Sequence, residues 1–155
     1  MYKKLFIVSI SFWILTLLIL GKFFILGSTH QSTDGRRYVE LSTHEKNFVL
    51  MEMRGLLTSF SGVLVGLDSG DKKKMIESAR SAGTTGHNNV EAGHETIMLK
   101  LPVEFKTMGI GLHKSFDSLA DSIETGAGEK EIIQKLATIS GRCVQCHAGY
   151  RFSAE

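Results

Sequence analysis

The chain has 155 residues, 43% of them hydrophobic and 22% charged, with one proline and sixteen glycines. That is room for one domain of ordinary size plus an appendage, and the balance excludes a disordered or collagen-like chain. The first 27 residues hold Lys3, Lys4 and Lys22 and no acid; the remainder carries 15 basic against 16 acidic side chains, so a nucleic-acid partner is not expected.

After "MYKK" the chain is free of charge from Leu5 to Leu20, with Lys22 near the end of the apolar run. Residues 5–26 would make a helix about 33 Å long, enough to cross the hydrocarbon of a bilayer. Residues 1–27 are therefore expected to be a signal-anchor or transmembrane segment. Lys3 and Lys4 would hold its start in the cytoplasm and send the rest to the periplasmic face of the inner membrane. The alternative is a cleaved signal peptide and a soluble periplasmic protein. "ILGSTHQS" offers only poor cleavage matches, such as Gly27 with Thr29, and the apolar run exceeds a usual signal core. Residues 28–41 read as a polar linker and 42–155 as the folded domain.

"LSTHEKNFVLMEMRGLLTSFSGVLVGLDSGD" predicts a long helix opened by a capping box, Ser42 with Glu45. Val49, Met53, Leu56, Leu57, Phe60, Val63, Leu64 and Leu67 recur at steps of three and four and form its core stripe. Met51, Gly55, Thr58, Gly62 and Gly66 make a second stripe of small residues, for tight packing on a neighbouring helix, a dimer seam or a cofactor. "DSGD" stops the helix. A shorter one starts at Asp71 or Lys72, and "GTTGHNNVEAGHE" reads as a loop or frayed turn. A third helix starts near Pro102, a first-turn position, with Phe105, Met108, Leu112, Phe116, Leu119 and Ile123 inward. "TGAG" ends it. The fourth carries Ile132, Ile133, Leu136 and Ile139, then Cys143, Cys146 and His147. No alternating strand is visible. The expectation is an all-α, antiparallel four-helix bundle with an N-terminal transmembrane helix.

The only two cysteines stand in "RCVQCH". C-x-x-C-H is the attachment sequence of a c-type haem. Positions i, i+3 and i+4 share one helix face, so Cys143, Cys146 and His147 project together. The two thiols can add across porphyrin vinyl groups, and the adjacent imidazole is then the proximal ligand to iron. Other readings remain open. A redox pair belongs beside a βαβ pattern, which is not seen. Zinc needs four ligands; His87, His94 or His113 could lend one, but there is no second cysteine pair. A disulfide across three residues closes a tiny loop and gains little.

With this motif only eight residues from the end, the chain resembles the class II c-type cytochromes, the cytochrome c′ and cytochrome c556 family, over about residues 40–152. The resemblance implies one covalently attached haem c held by Cys143 and Cys146, with His147 on its iron. It also puts Tyr150 and Arg151 beside the proximal haem face. It implies a sixth position filled from the first bundle helix, by methionine or by a bulky apolar residue; Met53 is the first candidate and Met51 the second. The family's arginine shortly before that residue has no counterpart, since Arg54 follows Met53. His44 and His113 read as surface or linker histidines. Electron transfer is the expected function, with a redox partner protein or a quinol-linked membrane complex, and no enzyme is read. The alternative is a five-coordinate haem protein that binds or senses NO or CO; a haem-free bundle is a third reading. The Gly55, Gly62 and Gly66 face permits a homodimer.

Overall fold

The computed structural model describes residues 2–86 and 94–152. Among them, α1 (Tyr2–Leu26), α2 (Thr43–Ser69), α3 (Lys72–Ser81), α4 (His94–Lys100), α5 (Val103–Glu124) and α6 (Glu129–Gly149) are joined by three short strands: β1 (Thr29–Gln31), β2 (Arg37–Val39) and β3 (Tyr150–Phe152). The class is all-α. None of α1 is buried, and its length and apolarity are compatible with a membrane anchor or a signal sequence. Helix α2 is also long and apolar enough to cross a membrane. It differs in carrying Glu45, Lys46, Glu52, Arg54 and Asp68 along its length, and it packs on α3.

Local chemistry explains the helix ends. Ser42 accepts from the Glu45 amide while the Glu45 carboxylate accepts from the Ser42 amide, the reciprocal box expected from sequence. Gly70 closes α2 in the left-handed region at φ 68°. Asp71 caps α3 by accepting from the Lys74 amide. Pro102 is the N-cap of α5 rather than its first helical residue.

Helix α2 packs on α3, α3 on α5 and α5 on α6, while α2 and α6 make no extensive contact. One core joins the four: Val63 from α2, Met75 and Ala79 from α3, Phe116, Leu119 and Ile123 from α5, and Ile132, Leu136 and Ile139 from α6. Each large side chain fully removed from water there contributes about 1.5–3 kcal/mol. Arg80 of α3 braces this core from outside, bonding Asp121 at 2.6 Å and Glu124 at 3.0 Å on α5. A second cluster lies toward the sheet and gathers Val39, Leu41, Ile97, Leu101, Phe105 and Tyr150, with Met53 and Cys146 packed against it.

Several expectations need correction. The stretch read as a linker holds β1 and β2, an antiparallel pair, and β2 lies parallel to the C-terminal β3. Strands three residues long cannot show alternation, and β3, the second partner of β2, lies more than a hundred residues away. The stretch read as a loop ends in α4, whose backbone is helical from His94; residues 87–93, with His87, lie outside the described residues. Leu57, Leu64 and Ile133 are exposed rather than inward. Each stands one position, or 100° of helix, from a residue that does pack. The glycine stripe divides: a Cβ on Gly62 would strike the Ser78 side chain and one on Gly66 would stand 2.7 Å from Met75 Cγ, whereas Gly55 faces open space. Gly62 and Gly66 are thus used within the chain, for close approach of α3.

Candidate functional site

The C-x-x-C-H motif occupies the end of α6, with Cys146 half-buried and Cys143 and His147 exposed. The helix stops because Tyr150 turns extended, φ −132° and ψ 153°, while its amide still donates to the Cys146 carbonyl. Tyr150 is buried, its ring edge-on to Phe105 at 5.2 Å, and its hydroxyl donates to Glu104 Oε2 at 2.8 Å. Burial, and then the neighbouring Glu104 carboxylate, push the phenol up to about 12. The motif's C-terminal end is therefore clamped onto α5.

The strands bring a second set of residues to the same place. Arg37, Tyr38 and Val39 stand in register with Tyr150, Arg151 and Phe152. Asp34, in the turn between β1 and β2, accepts from Arg36 at 2.6 and 3.0 Å and from Arg151 at 3.2 Å. The Arg36 hydrogen bond is the main reason its carboxyl titrates well below the usual range. Arg36 Nη1 also donates to the His147 carbonyl at 3.4 Å, satisfying one of the acceptors a helix end leaves open.

A cleft of about 170 Å³ lies among α2, α5, α6, the β1–β2 hairpin and β3. Leu50 and Met53 line it from α2, Cys146 and His147 from α6, Phe105 from α5, Arg36 from the hairpin, and Tyr150, Arg151 and Phe152 from β3. Five residues named from sequence thus share one wall or another: Met53, Cys146, His147, Tyr150 and Arg151. Cys143, one turn earlier, does not line it. Met51 is 47% exposed and faces elsewhere. Sequence reading missed Leu50, Phe105, Phe152 and Arg36 as site residues. Leu50 had a signal, one helical turn before Met53; Arg36 had none, because a pairing remote in sequence brings it here. His44 is exposed, as expected. His113 is half-buried rather than superficial, and its Nδ1 bonds the Ala82 carbonyl at 2.8 Å.

Both cysteines are free thiols. Burial pushes both above their ordinary range, and the nearby Cys143 adds to the effect on Cys146. That direction is opposite to the lowering found in cysteines of redox and nucleophilic sites. Among the described residues, no group of three or more His, Cys, Asp or Glu side chains could hold a metal ion. The donors at the cleft are the Cys146 thiol and the His147 imidazole from α6 and the Met53 thioether from α2, with the Cys143 thiol one turn earlier on α6. Leu50, Phe105 and Phe152 supply apolar surface, and Arg36 and Arg151 supply positive charge, partly offset by Asp34. That set fits a flat apolar macrocycle with anionic substituents and a central iron. Compared with known proteins, the chain matches no family model, no curated protein and no solved structure.

Proposed function

We propose that the chain is a membrane-anchored monohaem c-type cytochrome that transfers electrons. Helices α2, α3, α5 and α6 form its antiparallel four-helix bundle. Cys143 and Cys146 hold haem c by thioether bonds, His147 is the proximal iron ligand and Met53 the distal one. Helix α1 is retained as the anchor, with the domain on the periplasmic face of the inner membrane. One observation supports the reading: Cys146, His147 and Met53 line a single cleft.

When bound, a haem held by His147 and Met53 would supply one-electron chemistry. The chain's own part is to position and to exclude. Cys143 and Cys146 would hold the group through thioethers, each made by adding S–H across a vinyl double bond, which needs no oxidant. Leu50, Phe105 and Phe152 keep water from the apolar walls, and a drier site favours the less charged, reduced state of a haem. Tyr150, through Glu104, fixes the end of α6 that carries His147. Arg36 and Arg151 give the rim positive charge. The partner is a redox protein or a quinol-linked membrane complex.

A second reading has its own support. Leu50 lines the cleft one turn before Met53, so an apolar residue could cover the distal face and leave the iron five-coordinate, open to NO or CO. The test is export of the full chain in a host that attaches haem, followed by haem staining after denaturing electrophoresis. Stain that survives denaturation, and is lost when both Cys143→Ala and Cys146→Ala are introduced, supports the cytochrome. A low-spin ferrous spectrum indifferent to CO supports electron transfer; a high-spin spectrum shifted by CO supports gas binding. Colourless protein whose mass is that of the polypeptide alone overturns both.

A further inference from the structure

Residues 28–41 do not act as a free tether between α1 and the domain. Gly27 turns the chain at φ +61°, and the Ser28 amide donates to the Lys100 carbonyl at 2.8 Å. A Cβ on Gly27 would stand 2.7 Å from the Pro102 nitrogen and 2.8 Å from the Leu101 carbonyl carbon. Only glycine lets the end of α1 come this close to the corner between α4 and α5. From the other side, Lys106 Nζ donates to the Phe24 carbonyl at 3.4 Å and the Met98 carbonyl at 3.1 Å, and lies 4.5 Å from the centre of the Phe24 ring. The last turn of α1 is therefore fastened to this corner at several points.

The depth of the corner follows from the length of α1. Its 25 residues make a helix of about 37 Å, against about 30 Å of hydrocarbon. Lys4 and Lys22 are 18 residues apart, about 27 Å of helix, so with both at the interfaces the last turn, after Lys22, lies outside the hydrocarbon. Phe23 and Phe24 then sit at headgroup level, a usual depth for aromatic side chains flanking a span, and whatever packs beside them shares that depth. There Leu99 is 64% exposed and Val103 is 40% exposed.

We propose that the α4–α5 corner is a lipid-docking surface. Leu99 and Val103 enter the boundary between headgroups and acyl chains of the same bilayer that α1 crosses, with Lys22 and Lys106 at phosphate level. The occupant is lipid because the surface continues directly from α1 and shares the depth of its last turn. The domain is thus held in one orientation rather than swung on a leash. β1 follows within a few residues of α1, and β3 follows the C-x-x-C-H motif, so the sheet carries that orientation to the cleft. This inference rests on α1 being retained in the membrane, and the test separates the two.

The full chain is reconstituted in phosphatidylcholine–phosphatidylglycerol vesicles without bromine, with bromine on the upper acyl carbons (for the corner) or with bromine near the acyl-chain ends (for Trp13). Trp13, the sole tryptophan, reports α1. In a Trp13→Phe background, Leu99→Trp reports the corner and Ile133→Trp, on an exposed position early in α6, reports water. Docking predicts that Leu99→Trp is quenched at least about threefold more than Ile133→Trp. Equal, weak quenching at the two positions, with Trp13 strongly quenched, overturns docking and leaves the anchor intact. If Trp13 is not quenched either, α1 is not in the bilayer, and both the anchor and the docking surface are refuted.

Discussion

Replacing Glu45 by glutamine isolates one electrostatic contact that sets the position of the helix bearing Met53. Glu45 is buried at the start of α2, bonded to Lys100 Nζ at 2.6 Å and to the Ser42 amide at 2.8 Å. Burial alone would raise its carboxyl; the Lys100 and Ser42 hydrogen bonds outweigh it and lower the group from 4.5 to about 2. A carboxyl held that far down binds its proton more readily in the unfolded chain. Its contribution is therefore complete above the unfolded value and is lost as pH falls toward the folded one. The size is about 3 kcal/mol at neutral pH, about 1 kcal/mol at pH 3 and close to nothing below pH 1.5. Urea unfolding of wild type and Glu45→Gln, followed by far-ultraviolet circular dichroism across this range, should show two stability curves that converge as pH falls. A gap of constant size from pH 7 down to pH 2 would refute the argument, because it would mean the glutamine acts through shape and not through charge.

The two glycine types on α2 should respond with opposite sign. Gly66→Ala puts a Cβ within 2.9 Å of the Met75 amide nitrogen and should lower stability by about 1–3 kcal/mol, a melting shift of several degrees. Gly55→Ala meets open space and should raise stability by up to about 1 kcal/mol through helix propensity, read on the same melting curves. Tyr150→Phe removes the phenol pushed up to about 12. Subtracting its absorbance titration at about 295 nm from that of the wild type should leave one transition centred well above the ordinary tyrosine range near 10. Because folding raises that value, the phenol's contribution to stability holds below pH 10 and disappears as pH rises toward 12. Met53→Leu keeps the apolar wall but removes the thioether; if Met53 is the distal ligand, the variant should bind CO in the ferrous state where wild type does not, and an unchanged spectrum would exclude that role.

What the sequence made legible were features written in consecutive residues. The Ser42–Glu45 box, the end of α2 within "DSGD" and the start of α3 at Lys72 each depend on spacing within a turn or two, and each is found where the sequence put it. What stayed hidden depends on distance along the chain. β2 lies between β1 and the remote Tyr150–Phe152, and none of the three segments carries enough residues to announce a strand alone. The core stripe of α2 was drawn too wide for a related reason. Periodicity gives the direction of an apolar face but not its breadth, which is set by the neighbours. With α3 on one side and α6 standing off, Leu57 and Leu64 are left in solvent. Met53 was legible as inward, but that it shares a cleft with Cys146 and His147 required the helices to be set against one another.

The two hydrophobic clusters divide the labour between stability and site. The first is built of side chains that leave no freedom: Phe116, Leu119, Ile123, Ile139 and Val63 are all but closed to solvent. Such a core resists any change of volume. The second, toward the sheet, is finished with half-buried methionines and phenylalanines, among them Met53, Met98, Met108, Phe48 and Phe152. Methionine adapts its shape at low cost, and aromatic rings offer flat apolar surface. The haem site proposed above would need that combination, able to close on a rigid ring without disturbing the core that holds the helices. The clamps around it are polar and local: Tyr150 to Glu104, Asp34 between Arg36 and Arg151, Glu45 to Lys100. They fix where the walls of the cleft stand while leaving the lining itself free to repack. On this division, substitutions in the first cluster should change how often the domain is folded, and substitutions in the second should change what the folded domain holds.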